Sequence, residues 1–419
     1  MNNIDETCLG KNYIFPAITD GLNANELIIG GTGSGKTTSV AIPRILHTFN
    51  ASLVIPIVKR ELYDEYAPLL HDRGYKIWDL NLANPEKTEI GYDPLDSIKT
   101  EQDIMLLSRT LTGDTMSRSL LGEMDSYWGE ATVSGLSALI GCVIETAKRK
   151  KKTPLFTEFQ ELFNKLELHQ TGNHASTNLD LLFDRLSETN PESSAPKMWK
   201  TISGNSPKTA ACIYSMMSNA IDKIMSKELD PLFKNENKVD FGKLGEEKIA
   251  LFITTKASSE TCKKLTNMVY ADLFKILFDT AEKYDNVLPN RVHIICDDFA
   301  CGSRIPNFAN QISIFRSIGI SCSILLQSLS QLQSIYGDYE ASTIKNNCDT
   351  YLFFGSLDID TCKDISIRTD KSIIDIMAMP IGRVIIIRRG TYPIITERYD
   401  TFNDEYYKEY FGENKLYGT

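Results

Sequence analysis

Gly30-Gly31-Thr32-Gly33-Ser34-Gly35-Lys36-Thr37 is the stretch on which the fold turns. A glycine, four residues and then Gly-Lys-Thr is the pattern of a phosphate-binding loop joining a strand to a helix. Its glycines let the backbone wrap round a polyphosphate and turn several N–H groups inward, and the following helix adds its positive end. Read this way, Gly30 through Thr38 contact the nucleotide. Lys36 reaches the β- and γ-phosphates, and the Thr37 hydroxyl ligates Mg²⁺. The flanks agree: Glu26-Leu27-Ile28-Ile29 reads as a short buried strand and Thr38 to Leu46 as the helix that should follow. A glycine-rich surface turn, the competing reading, leaves that context unexplained. A nucleotide-binding protein using Mg²⁺ is expected.

The chain has 419 residues, enough for two to three domains or one large domain with an insertion. Its apolar share of 42% and charged share of 24% are those of an ordinary soluble protein. Nine cysteines include no C-x-x-C pair and five histidines lie scattered, so neither a zinc site nor a disulfide framework is expected. The net charge of −10 argues against a surface that is basic all over, while allowing a local basic lining. The most apolar run, Ser134 to Ala147, contains Glu145 and is short for a membrane span. The start of the chain is polar, without a secretion signal. These features predict a cytoplasmic protein with no transmembrane segment of its own.

Outward from the loop, Ala51 to Ile57 reads as a second buried strand, Arg60 to Arg73 as a helix and Tyr75 to Leu80 as a third strand. Such alternation marks an α/β fold with a mostly parallel sheet. From about Thr100 to Leu244 the periodicity becomes helical, which predicts an all-α insertion. Within it, Lys148-Arg149-Lys150-Lys151-Lys152 is either a solvated helix end or a contact for nucleic acid or acidic lipid. Strands resume at Lys248 to Thr254, Val292 to Cys296, Ser321 to Gln327, Thr350 to Gly355 and Arg383 to Arg388, with a helix over Thr261 to Tyr284. The expected division is residues 1–99 and 245–403 for the two parts of the nucleotide-binding domain, 100–244 for the insertion and 404–419 for a tail. Met1 to Asn25 reads as an irregular lead-in.

Turning a nucleotide over needs a carboxylate for the metal and a group that activates water. The strand Val292 to Cys296 ends in Asp297-Asp298, which supplies both: Asp297 for Mg²⁺ and Asp298 for the attacking water. Arg316, on the rim of the sheet, suits a finger reaching a neighbouring subunit's γ-phosphate. Gln327, at the end of the strand beside Asp297, suits a γ-phosphate sensor. A surface salt-bridge arginine and a plain strand-end glutamine are the alternatives for these two.

With these residues in place, the chain resembles the coupling ATPases of type IV secretion and conjugation, the TraG/TraD-like family, most closely the branch of Gram-positive mobile elements. The resemblance runs from Leu27 to Tyr399. It is carried by Ile29 to Thr37, Arg73-Gly74-Tyr75-Lys76, Tyr92-Asp93-Pro94-Leu95-Asp96, Tyr127-Trp128-Gly129-Glu130, and a long block from Asp297 through Leu332 closed by Asn347-Cys348-Asp349-Thr350. It implies a RecA-like P-loop domain with an inserted all-α domain, a nucleotide- or DNA-dependent ring of six, and ATP hydrolysis. It also implies single- or double-stranded DNA, a relaxase or an effector protein as cargo, and secretion-channel components as partners. Lys36, Asp297, Arg316 and Gln327 take the family's loop, magnesium, finger and sensor roles, and the helical lobe faces the cytoplasm to select cargo.

Three departures stand out. Relatives usually carry two transmembrane helices before the motor; here the loop comes almost at once, which leaves three readings: a soluble relative, with or without partners that hold it at the membrane, an anchor that lies elsewhere, or one that was removed. The acid pair is Asp297-Asp298 where the family has Asp-Glu, which predicts slow hydrolysis. After the second strand, Ile57-Val58-Lys59-Arg60-Glu61 replaces Asp-Pro-Lys-Gly-Glu. Two alternatives stay open: a nucleotide-binding cargo adaptor with little ATPase activity, and a soluble relative reused in another process such as defence.

Overall fold

Leu27, Ile28 and Ile29 point alternately to opposite faces of their strand, yet all are fully buried. Such a strand needs cover on both sides, and so do Ile249 to Ile253 and Val292 to Cys296. The computed structural model, which describes residues 4–19, 21–113, 123–171, 173–256, 258–297, 299, 304–305 and 307–412, supplies that cover. Its strands are β1 (Glu6–Gly10), β2 (Tyr13–Pro16), β3 (Glu26–Ile29), β4 (Ser52–Ile57), β5 (Lys76–Asn81), β6 (Leu168–Thr171), β7 (His174–Thr177), β8 (Ile249–Thr254), β9 (Val292–Cys296), β10 (Ile320–Leu326), β11 (Thr350–Phe353), β12 (Arg383–Arg388) and β13 (Ile394–Glu397). Nine of them form one sheet in the order β13-β12-β11-β3-β10-β9-β4-β8-β5. All neighbours from β11 to β5 are parallel, and β12 and β13 add an antiparallel edge. Pro56 is tolerated inside β4 because β9 pairs only with Ser52 to Val54, so no ladder bond is asked of the proline nitrogen on that side.

One apolar core joins Ile28, Leu53, Phe252, Ile295 and Leu325 to the helices at residues 42–46 and 61–72 and to Tyr407 of the helix Glu405–Phe411. The other joins Leu27, Ile29, Val54, Ile294 and Ile324 to the helices Glu260–Glu282 and Leu329–Asn346 and runs on into the helices between residues 101 and 245. That middle stretch is not wholly helical, because β6 and β7 form a small antiparallel hairpin. Its sequence, Leu-His-Gln-Thr and His-Ala-Ser-Thr, has too little apolar alternation to announce a strand. The run Ser134 to Ala147 belongs to a longer helix, Glu123–Arg149. Within it Tyr127–Arg149 is long and apolar enough to cross a membrane, but its most apolar window is 72% buried inside the protein. The basic run ends that helix: Lys151 and Lys152 turn back to Lys148 O and Ala147 O, placing cations at the negative end of the dipole.

Two further expectations need correction. The lead-in is not irregular: β1 and β2 pair as a hairpin whose Cys8 and Leu9 are buried, and Glu6 N–H donates to His47 O. The signal was weak because only two apolar residues per strand face the core. An additional edge strand, β13, lies in a stretch with exposed alternate residues.

Tyr92-Asp93-Pro94-Leu95-Asp96 leads from the sheet toward the helix Glu101–Thr112. Asp272, buried on the helix Glu260–Glu282, accepts hydrogen bonds from Tyr92 Oη (2.5 Å) and Ser97 Oγ (2.8 Å). Asp93 accepts from the N–H groups of Leu95 and Phe156, both at 2.9 Å, and Lys238 of the returning chain lies 3.0 Å from Asp96. Burial pushes the Asp272 carboxyl up to about 7, against the two hydroxyl donors that favour its charge. A carboxyl whose pKa is raised on folding stabilises most below its ordinary value near 3.8, and that contribution is lost as pH rises toward 7. Asp272→Asn is therefore expected to flatten the pH dependence of unfolding free energy between about pH 4 and 7, measured by urea titration.

Candidate functional site

The loop Gly30 to Thr37 leaves the carboxyl end of β3, where its two neighbouring strands also end. Gly30 N–H donates to Leu326 O at the end of β10 (3.1 Å), and Gly31 N–H to Gly355 O just past β11 (3.0 Å). The loop is thus pinned on both sides before it turns. Gly33 and Gly35 have φ of +74° and +90°, which only glycine adopts without strain, and their N–H groups have no acceptor among the described residues. Thr32 and Gly33 form the exposed outer turn. Ser34 Oγ is buried without a hydrogen-bond partner among the described residues. An orphaned hydroxyl beside glycine amides that lack an acceptor fits a phosphate group.

Lys36 is 9% exposed and folds back over the loop, its Nζ donating to Gly30 O (2.6 Å) and Gly31 O (3.2 Å). The helix then opens with a π-turn, Thr37–Ala41, before the α-helical Ile42–Leu46; such turns are frequent at functional sites. Thr38 Oγ1 donates to Gly35 O (3.1 Å), closing the turn. Thr37 Oγ1 donates to Asp297 Oδ2 at 2.8 Å. That contact brings together two residues 260 positions apart. Asp297 follows β9, two strands from β3, and both groups are hard oxygen donors of the kind Mg²⁺ takes. No cluster of three or more His, Cys, Asp or Glu able to hold a metal occurs among the described residues. A site completed by substrate phosphates does not need one.

The other expected residues fall differently. Asp298 lies outside the described residues. Gln327 follows β10 directly, between the ends of β3 and β9, with an exposed side chain. Arg316 is exposed before the other end of β10, which spans six residue steps, so about 20 Å of strand separates it from the loop. It is not brought to its own chain's loop. Arg60, where the family has glycine, forms a bidentate pair with the fully buried Asp79 (2.6 Å for each bond) and reaches Thr254 Oγ1. That pair sits on the β5–β8 side, away from the loop.

Arg398 was not legible from the sequence. Its Nη1 donates to Ser34 O (3.2 Å) and its guanidinium lies against Gly35, where an added Cβ would sit 2.2 Å from that nitrogen. It borders a cavity of about 360 Å³ lined by Thr38, Gly382, Tyr399 and Phe402. Thr401 Oγ1 donates to Thr38 O, and His47 at the end of the loop's helix meets Asp404 Oδ2 at 2.6 Å. Burial opposes a charge on His47, but Asp404 outweighs it and holds the imidazole up to about 10. Nothing in Glu397-Arg398-Tyr399-Asp400 announces this role; only the position of β13 creates it.

The family described as Type IV secretory system Conjugative DNA transfer matches residues 5–375. Protein VirD4 of Agrobacterium fabrum is 22% identical over 367 residues, covering 86% of this chain and 51% of that protein. VirD4 of Rhizobium radiobacter is 22% identical over 365 residues, covering 86% and 50%. The chain spans about half the length of these curated relatives. Among solved structures, plasmid coupling protein TrwB in complex with ADP and Mg²⁺ superposes with a TM-score of 0.64 at 16% identity, covering 90% of this chain and 85% of that one. VirB4 of Thermoanaerobacter pseudethanolicus gives 0.55 at 13%, covering 95% and 97%. At these identities the structural likeness speaks for the fold, a RecA-like P-loop domain with inserted helices.

Proposed function

Because the chain belongs to the type IV secretory system conjugative DNA transfer family, we propose that it is a coupling ATPase that recruits or pumps DNA, as a relaxase–DNA complex, or a protein cargo toward a type IV channel. The observation that carries this reading is the 2.8 Å contact between Thr37 Oγ1 and Asp297 Oδ2, which unites the phosphate loop with an acid from the far half of the sheet. Magnesium held by these two would neutralise phosphate charge. Lys36 offsets the charge of the β- and γ-phosphates, and Asp298 orients the attacking water. Gln327 reports on the γ-phosphate, and Arg316 acts on the site of another copy in a ring of six. The segment 100–244 is the cargo-selecting lobe, and the motor works on the cytoplasmic side of the membrane. The TrwB structures with ADP and Mg²⁺ and with an ATP analogue support ATP as the nucleotide.

A second reading, a nucleotide-binding adaptor, draws on the Asp297-Asp298 pair and on the diversion of Arg60 to Asp79. A carboxylate set back by one methylene misplaces the water-orienting group by about 1 Å, which can cost up to about a hundredfold in rate. Steady-state ATP turnover with and without single-stranded DNA separates the readings. DNA stimulation, with a tenfold or greater gain in Asp298→Glu, supports the motor. Flat turnover in both proteins supports the adaptor. DNA held through its phosphates should also bind more weakly as salt rises.

A further inference from the structure

The proposed function gives Arg398 no part, yet its guanidinium lies on the phosphate loop, where Nη1 donates to Ser34 O (3.2 Å). It rests so close to Gly35 that a Cβ there would collide with it, so this glycine serves the arginine's approach as well as its own φ of +90°. An arginine is always charged and seeks an anion. The acids around it are engaged elsewhere. Glu397 accepts from Lys11 Nζ (2.6 Å), and Asp400 from Phe402 N–H (3.2 Å) and the Asn403 amide. Asp404 accepts from Tyr407 N–H (3.0 Å) and Tyr399 Oη, and meets His47 Nε2 at 2.6 Å. Among the described residues no carboxylate pairs with Arg398.

Its backbone is tied on both sides. Arg398 N–H donates to Gly382 O (2.9 Å), just before β12, and Thr401 Oγ1 donates to Thr38 O in the loop's helix. Lys36 Nζ bonds the first carbonyls of the loop, Gly30 O and Gly31 O, whereas Arg398 bonds a later one and borders the cavity of about 360 Å³ beside Thr38. We propose that Arg398 is a second nucleotide-binding cation of the same chain, holding the phosphate next to the nucleoside while Lys36 takes the β- and γ-phosphates. The assignment rests on the functional reading above and deepens it. A guanidinium offers its N–H donors in a planar fork that fits phosphate, so one nitrogen keeps Ser34 O while the other turns to the nucleotide. That phosphate is present in substrate and product alike. The contact therefore tightens binding of both and adds nothing to the charge stabilisation specific to transfer.

Arg398→Gln tests this, because glutamine keeps a donor for Ser34 O and loses the charge. In calorimetric titrations with Mg²⁺, the variant should bind ATP and ADP each about tenfold or more weakly than the wild type, the scale of one lost charge-assisted hydrogen bond. Arg398→Lys, which keeps the charge, should bind both more tightly than Arg398→Gln. Binding of both nucleotides to Arg398→Gln at wild-type affinity would make the arginine a mere buttress of the loop. A loss confined to ATP would place it at the γ-phosphate. Either result overturns the assignment, as does Arg398→Lys binding no more tightly than Arg398→Gln. A second measurement needs no variant. Phenylglyoxal, an arginine reagent, should label Arg398 in the wild-type protein alone and with adenosine but not with ADP, as read by peptide mass spectrometry. Equal protection by adenosine, or none by ADP, overturns the assignment. Nucleotide binding that ignores Arg398 overturns this assignment alone; wild-type protein that binds neither ATP nor ADP overturns the functional reading with it.

Discussion

Replacing Lys36 by alanine is expected to lower ATP turnover by about a thousandfold, the scale seen when one preorganised charge-stabilising group is removed. Lys36 is almost fully enclosed, and its ammonium already sits over the loop through Gly30 O and Gly31 O. On the proposed function it would act with little reorganisation and in reduced dielectric, where a charge is worth more than in water. The substitution should affect the fold less than the rate. The two carbonyls lose a partner at a cost of about 1 kcal/mol, and the loop stays pinned by Leu326 O and Gly355 O. Turnover, together with binding of a fluorescent ATP analogue, checks this. Wild-type rates in Lys36→Ala would remove the loop from the mechanism.

The largest effect on stability is expected beneath the loop. Glu26 at the start of β3 and Arg44 in the loop's helix form an ion pair whose side chains are 4% and 5% exposed. Thr7 Oγ1 and Ser323 Oγ both donate to the Glu26 carboxylate at 2.7 Å. His293 stands close by between Ser321 Oγ (2.7 Å) and Ser323 Oγ (3.0 Å). Burial, aided by Arg44, pushes that imidazole down to about 3, so it is neutral at ordinary pH. Glu26→Gln leaves the Arg44 charge buried without its counterion, and a loss of about 3–5 kcal/mol is expected in urea unfolding. Replacing both members, Glu26→Leu with Arg44→Met, should recover most of that loss, because the desolvation cost goes with the charges. Burial raises the Glu26 pKa, but Arg44 and the hydroxyl donors outweigh it and hold it below the usual 4.5. The pair's contribution is therefore present above that pH and lost as pH falls through the depressed value. A double variant no more stable than Glu26→Gln would show that the pair is not the unit.

Strands buried on both faces were readable because their apolar runs are continuous: Leu27 to Ile29, Ile249 to Ile253 and Val292 to Cys296 stand out without help from distant residues. The half-exposed edges were not. β2 and β13 leave alternate residues exposed, β1 buries only two apolar side chains, Cys8 and Leu9, and their place depends on contacts such as Glu6 with His47 that local pattern does not encode. The site divides in the same way. Lys36, Thr37 and Asp297 stood at motif positions, and two of them meet at 2.8 Å. Arg398 reaches the loop only because β13 delivers it there, and an arginine in a polar turn carries no mark of that. Local sequence marks Arg60 only as a missing glycine; its partner, Asp79, reaches it because β5 lies beside β8.

The central claim is that one magnesium–nucleotide site is shared between the loop and the end of β9. It is tested most directly by titrating ATP into wild-type protein and Asp297→Ala, each with Mg²⁺ and with EDTA, in a calorimeter. Magnesium should tighten binding to the wild type tenfold or more, and Asp297→Ala should bind ATP with nearly the same affinity in both buffers. If magnesium strengthens binding equally in the two proteins, Asp297 does not belong to the site and the account fails.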